Sequence, residues 1–336
     1  MNFSIIIAVY QRKDELTELL SSLEKQADKD FEVIVVDDGS PVSLENIVIQ
    51  FKSKLKISYF FKENSGPAKS RNFGMEKAAG DYFIFLDSDT IVPENYIKIV
   101  RNSLTKNYTD AYGGPDAAGK SFTPLQKAIS FSLTSFLTTG GIRGGKKQVG
   151  KFQPRSFNMG ISKKAFEKTG GFGNLRIGED PDLSMTLWEN GFETQLISEA
   201  FVYHKRRTSI KKFAHQVYQF GVARPILNQR HPKYKKITFW FPTVFSLGLI
   251  FAVILLFQMQ HTKVWMYIPF LVYTIYFSLL FWYSLMKTNS MIAARMTPYI
   301  VIVQFAAYGY GFLKSWILLN IFRLKPEKAF PGHFSN

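Results

Sequence analysis

The stretch "DYFIFLDSDT", residues 81–90, sets four apolar residues, Phe83 to Leu86, ahead of two acids spaced one residue apart. A short, continuous apolar run bounded by polar residues reads as a strand buried on both faces. Two carboxylates at the end of such a strand repel each other if nothing pairs them. If the extended geometry persists they lie on the same side, where a divalent cation with oxygen ligands would remove that repulsion. Taken alone, Asp87 and Asp89 are more simply read as a helix cap and a surface ion pair, because so short a motif is common by chance.

Working outward, "FSIIIAV" (3–9), "FEVIVV" (31–36) and "KISYFF" (56–61) repeat the strand pattern. Periodic stretches at 12–25 and 67–79 predict helices between them. Strands of this kind separated by helices imply an α/β fold, a Rossmann-like and mostly parallel sheet with helices on both faces. Such sheets bind ligands outside the carboxyl ends of their strands. Polar residues collect there: Tyr10 after the first strand, "DDGS" (37–40) after the second, and "DSD" (87–89) after the fourth. Helices are expected again at 162–169 and 181–190, a strand at "FVYH" (201–204), and an amphipathic segment at 209–228. Residues 116–155 look less regular, and their Gly- and Lys-rich run 140–150 is either a solvated loop or a lid over an anionic ligand.

The second half differs in kind. Residues 237–262 and 264–286 contain no Asp, Glu, Lys or Arg. Each exceeds the roughly 20 apolar residues that cross a bilayer core. A third stretch, 296–313, is marginal and is extended beyond Lys314 by "SWILLNIF". The expected plan is a cytosolic domain at 1–236, a membrane region at 237–322 with two or three hydrophobic helices, and a basic tail at 323–336. The net charge is +16, yet residues 1–199 hold 25 bases and 25 acids, whereas 200–236 hold ten bases and no acid. A basic juxtamembrane part suits the anionic cytoplasmic leaflet of a cell membrane. Its position, with no excess in the front domain, argues against nucleic acid as a partner. Two spans return the chain to the cytoplasm at Lys287 and Arg295, as the charge rule prefers. A third would place Arg323, Lys325 and Lys328 outside, so that segment either lies in the interface or breaks the rule. Trp240, Trp265 and Trp282 read as interface anchors. The opening "MNFSIIIAVY" has no basic region and too short an apolar run for a secretory signal, so the front domain is expected to stay cytoplasmic. The absence of cysteine excludes disulfides, thiolate metal sites and cysteine nucleophiles.

Four further constellations offer chemistry. In "VVDDGS" a carboxylate at a strand end can accept hydrogen bonds from a base or ribose, or simply form a turn. "NSGPAKSRNFG" (64–74) opens a helix with Pro67 near its first position and Lys69 and Arg71 close behind, where a diphosphate or a nucleotide would fit; it is equally read as an ordinary solvated helix face. "GEDPDL" (178–183) gathers Glu179, Asp180 and Asp182 at a helix start; the helix dipole favours acids there, and one of them could equally act as a general base. His204 ends an apolar run, where a lone histidine is more often a core residue than a metal ligand.

In this order, "SIIIAVYQR", "VIVVDDGS", "GPAKSRNFG", "FIFLDSDT" and "GEDPDL" resemble the family 2 glycosyltransferases, over about residues 2–230. The resemblance implies the GT-A fold and, as in many relatives, membrane helices after a cytosolic catalytic domain. It implies that Tyr10 and Asp38 contact the nucleotide base of the donor and that Arg71 also serves the nucleotide. It implies that Asp87 binds near the donor ribose and sugar, and that Asp89 ligates a divalent metal (Mn2+ or Mg2+), with His204 completing the metal site. Asp180 is implied as the catalytic base, with Glu179 close to the acceptor. The expected reaction is inverting transfer of a sugar from a nucleotide-diphosphate sugar to a hydroxyl of a lipid-linked or glycan acceptor, in cell-envelope or extracellular polysaccharide synthesis. The Gln-x-x-Arg-Trp motif of processive synthases is not found between 205 and 240, where the chain reads "HQVYQFGVARPILNQRHP". This favours single-sugar transfer; a processive synthase and a non-catalytic nucleotide-sugar-binding membrane protein are the alternatives.

Overall fold

The computed structural model describes residues 1–117, 122–140, 151–257 and 264–335. Along the chain run β1 (Phe3–Val9), α1 (Lys13–Glu24), β2 (Phe31–Asp37), α2 (Glu45–Ile49), β3 (Ile57–Phe61), α3 (Pro67–Lys77), β4 (Tyr82–Leu86), β5 (Thr90–Ile91), α4 (Tyr96–Lys106), β6 (Ala111–Gly113) and β7 (Asp116–Ala117). After α5 (Pro124–Thr134) and α6 (Phe136–Thr139) come β8 (Asn158–Ser162), α7 (Lys163–Thr169), α8 (Glu179–Glu189), β9 (Thr194–Leu196) and β10 (Val202–His204). The helices α9 (Ile210–Arg230), α10 (Phe241–Phe257), α11 (Ile268–Thr288), α12 (Met291–Trp316) and α13 (Pro326–Ala329) complete the series.

The chain divides into two units, one of residues 1–119, 146–205 and 332–336, the other of residues 120–145 and 206–331. In the first, seven strands form one sheet in the order β3-β2-β1-β4-β8-β6-β9. The four strands β3, β2, β1 and β4 are parallel, as their apolar runs predict, while β8 is antiparallel to β4 and β6, so the sheet is mixed. The runs are continuous because both faces are covered. Ile5, Ile7, Val33, Val35, Ile84 and Leu86 pack with the leucines of α1 and with α4. Their neighbours Ile6, Ile34, Val36, Phe83 and Phe85 pack with α3, α7 and α8. Truncating any one of these fully buried side chains to Ala would cost about 2–5 kcal/mol. The glycine of "SRNFG" has a packing cause: a Cβ on Gly74 would stand 2.5 Å from Ile6 Cγ2, so only glycine lets α3 lie this close to β1.

A second, three-stranded sheet in the order β5-β10-β7 sits in the same unit and pairs His204 with Thr90 and Val202 with Asp116. Neither of its outer strands is long enough to read in sequence. The irregular reading of 116–155 is corrected in part: "TPLQ" forms a capping box in which Thr123 accepts from the Gln126 amide, and α5 follows. The run 140–150 lies outside the described residues except for Gly140.

In the second unit, α5, α9 and α12 enclose Ile129, Leu133, Phe213, Val217 and Ile300, while Phe131, Phe245, Leu280, Val301 and Phe305 form a second apolar cluster. Three helices, Ile237–Phe257, Ile268–Thr288 and Met291–Ile321, are long and apolar enough to cross a membrane. The third, marginal in the sequence, is a continuous helix of 31 residues. Large apolar side chains on these helices face outward, among them Phe251, Leu271, Ile275 and Trp282. Outward apolar faces of this extent suit lipid surroundings.

Candidate active site

β4 ends at Leu86, and the chain then turns rather than continuing extended: the Thr90 amide donates to Asp87 O at 3.0 Å. Asp87 and Asp89 therefore do not lie along one side of an extended strand as expected, but the turn brings both carboxylates to one place. Pairing of β10 with β5, helped by the Lys205 amide donating to Asp89 O, adds His204. One ligand atom from each of Asp87, Asp89 and His204 lies within 4.8 Å of the others. Two hard oxygen donors and one imidazole fit a divalent cation such as Mn2+ or Mg2+.

The surroundings of this cluster hold its charge. Arg12 Nη1 stands 2.6 Å from Asp89 Oδ2, and His204 Nε2 stands 3.2 Å from Asp89 Oδ1. Burial alone would raise the Asp89 carboxyl, but His204 and Arg12 together hold it well below the usual carboxylate range. The His204 ring stacks on Phe157 at 4.8 Å. Its Nδ1 lies 3.8 Å from Oδ2 of Asp116, whose side chain is wholly buried.

At the carboxyl end of β2 the two acids of "DDGS" divide their work. Asp37 makes the turn, accepting from the Ser40 amide and the Tyr59 hydroxyl. Asp38 holds the loop that opens α3: it accepts from the amides of Ser65 and Gly66, each at 2.9 Å, and pairs with Lys62 Nζ at 3.0 Å. Tyr10, at the end of β1, is 45% exposed, and its hydroxyl accepts from Gln11 Nε2.

Arg71, on α3, is buried and bridges the two acid groups. Its Nη2 donates to Asp87 Oδ1 at 2.7 Å and its Nη1 to Glu179 Oε1 at 3.2 Å, with the guanidinium over the Phe172 ring. Glu179 and Asp180 begin α8 behind Gly178, which sits at φ +87°. Burial, then the negative charge of Asp180, push the Glu179 carboxyl up to about 7 against the opposing pull of Arg71. Asp180 faces Arg155, whose Nη1 lies 3.5 Å from Oδ2.

The structure thus brings Asp87, Asp89 and His204 together, links Asp87 to Glu179 through Arg71, and ties Asp38 to the α3 loop. Sequence reasoning missed Arg12, Lys62, Arg155 and Asp116. Arg12 had a signal, since it stands just past the end of β1; the other three had none.

The profile of Glycosyl transferase family 2 matches residues 4–170. An uncharacterized glycosyltransferase of Haemophilus influenzae is 31% identical over 220 residues, which are 62% of this chain and 70% of that protein. The chain belongs to glycosyl transferase family 2. The chain spans only a small part of some relatives it matches: an uncharacterized glycosyltransferase of Rickettsia conorii is 38% identical over 104 residues, 31% of this chain but 17% of that protein. Two solved glycosyltransferases share the fold at low identity. The mannosyltransferase PcManGT of Pyrobaculum calidifontis, in complex with GDP-Man and Mn2+, has a TM-score of 0.58 at 14% identity, covering 94% of this chain and 86% of its own. Residues 1–349 of Staphylococcus aureus TarS, in complex with UDP-GlcNAc, have a TM-score of 0.51 at 19% identity, covering 94% and 91%. A mixed α/β sheet with GT-A neighbours is the architecture expected of family 2.

Proposed function

We propose that this chain is a membrane-anchored, inverting glycosyltransferase that moves one sugar from a nucleotide-diphosphate sugar to a hydroxyl of a lipid-linked or glycan acceptor, in the building of a cell-envelope or extracellular polysaccharide. The observation that carries the reading is Arg71, which joins the acid cluster after β4 to the acid pair opening α8. Donor and acceptor chemistry need two acidic places side by side: one to receive the diphosphate with its cation, one to accept a proton. The nucleotide-sugar complexes of PcManGT and TarS support the donor class.

In this reading Tyr10 and Asp38 meet the base, Asp38 indirectly through the loop it fixes, and Asp87 meets the ribose and sugar. Asp87, Asp89 and His204 would hold a divalent cation, which when bound supplies positive charge to the departing diphosphate. Asp180 accepts the proton of the acceptor hydroxyl as that oxygen attacks the anomeric carbon from the face opposite the leaving group. Arg155, 3.5 Å from Asp180 Oδ2, directs that carboxylate, and Glu179 lies beside the acceptor. The three apolar helices anchor the transfer domain, with the basic part 200–236 against the anionic cytoplasmic leaflet. A screen of UDP- and GDP-sugars with and without Mn2+ tests the reading. Cation-dependent protection against heat, followed by release of the nucleoside diphosphate on transfer, is expected. Protection by none of them, with no turnover in membranes, would overturn it.

A further inference from the structure

Residues Gly332 to Ser335 follow the apolar helices in sequence, yet they belong to the first unit. There they form a single rung of antiparallel sheet. The Arg176 amide donates to His333 O at 2.8 Å and the Ser335 amide donates to Asn174 O at 2.8 Å, with Leu175 opposite Phe334. Leu175, His333 and Phe334 are all buried.

The partner of this rung is the loop that delivers Glu179 and Asp180. Gly170, Gly171 and Gly178 all have positive φ, so the backbone between α7 and α8 follows a path that no regular ladder supports. Its first part is held by Asn72, whose Oδ1 accepts from the Phe172 amide and whose Nδ2 donates to Phe172 O. Its second part, nearest the acids, is held by Gly332–Ser335. The same segment also borders the donor side: a Cβ at Gly66 would lie 3.4 Å from Ser335 Oγ and 3.5 Å from Arg176 Nε. Gly66 is the residue whose amide Asp38 holds.

We propose that Gly332–Ser335 is a clamp on the Asn174–Arg176 loop, with Phe334 as a positioning residue that fixes the approach of Asp180 to the acceptor hydroxyl. The inference rests on the reading of Asp180 as the base. Proton transfer depends on distance so steeply that a displacement of about 1 Å costs about a hundredfold in rate. The clamp acts where such a displacement would arise, four residues before Asp180.

The test uses the full chain in detergent or nanodiscs, a chain ended after Pro331, and the variants Phe334→Ala and Phe334→Leu. Amide hydrogen exchange in the ligand-free protein reads the clamp without any turnover. Exchange at Asn174–Ile177 should rise about tenfold or more in the shortened chain and in Phe334→Ala, and return with Phe334→Leu. With the panel of UDP- and GDP-hexoses and Mn2+, kcat should fall about 10- to 100-fold while donor KM and the Kd for the matching nucleoside diphosphate stay within about twofold. Unchanged exchange would overturn the clamp, as would equal loss of kcat and nucleotide affinity, which marks a scaffold. A parent chain that turns over none of these donors would overturn the assigned transfer reaction, while the exchange data would still decide whether the loop is clamped.

Discussion

The two acid groups of this molecule are built from the same residue types and behave oppositely. After β4, Asp89 has two partners of its own, Arg12 and His204, and its carboxyl is held low. At the start of α8, Glu179 shares Arg71 with Asp87 and adjoins Asp180, and its carboxyl is held high. Both are part-buried to a similar degree, so depth does not separate them. What separates them is the company each keeps: Arg12 and His204 for Asp89, a shared Arg71 and the adjoining Asp180 for Glu179.

The largest way to break the contrast is to remove the proposed proton acceptor. Asp180→Asn should lower transfer about a thousandfold while leaving nucleotide affinity nearly intact, checked by single-turnover kinetics beside calorimetry. Unchanged turnover would move the base elsewhere. Next, Asp89→Ala should cost on the order of a hundredfold in Mn2+-dependent affinity for a nucleoside diphosphate, seen in a calorimetric titration. Smaller still, Asp116→Asn replaces the buried carboxyl behind His204 by an amide and should weaken Mn2+ binding about tenfold, read by paramagnetic resonance of the free ion.

The smallest effect is on stability and has a defined sign. A carboxyl raised from 4.5 to about 7 keeps a proton in the folded state that the unfolded chain has already lost. Stability therefore falls as pH climbs from about 4.5 to about 7, and the loss is complete above that window. Glu179→Gln cannot ionise. It should be more stable than the parent by about 1–3 kcal/mol at pH 8 and no different at pH 4, measured as thermal midpoints across that range.

What the sequence made legible depended on length and on position. β1, β2 and β4 are continuous apolar runs, and their ends advertise the acids that follow. β8, "NMGIS", reads as no strand because Gly160 interrupts it and Asn158 is polar. That asparagine is fully buried and accepts from the Tyr96 hydroxyl, a network with no local signal. β6 and β9 are three residues each, below any periodicity. Asp116 was invisible for the same reason: nothing near it alternates. Lys62 and Arg155 looked like ordinary surface bases, and only the tertiary fold sets them against carboxylates. Gly332–Ser335 carries neither the length nor the pattern of a strand, since its single rung depends on a loop far away in sequence.

The small sheet has a consequence for the order in which this protein comes into being. It joins residues 90, 116 and 204, so its closure waits on a long loop, whereas β1, β2, β3 and β4 pair within the first 86 residues. During synthesis the parallel half can form while His204 is still inside the ribosome. Arg71 and Arg12, the partners of Asp87 and Asp89, are by then already made. The two arginines are thus the first partners of these carboxylates to be made, and the histidine is the last.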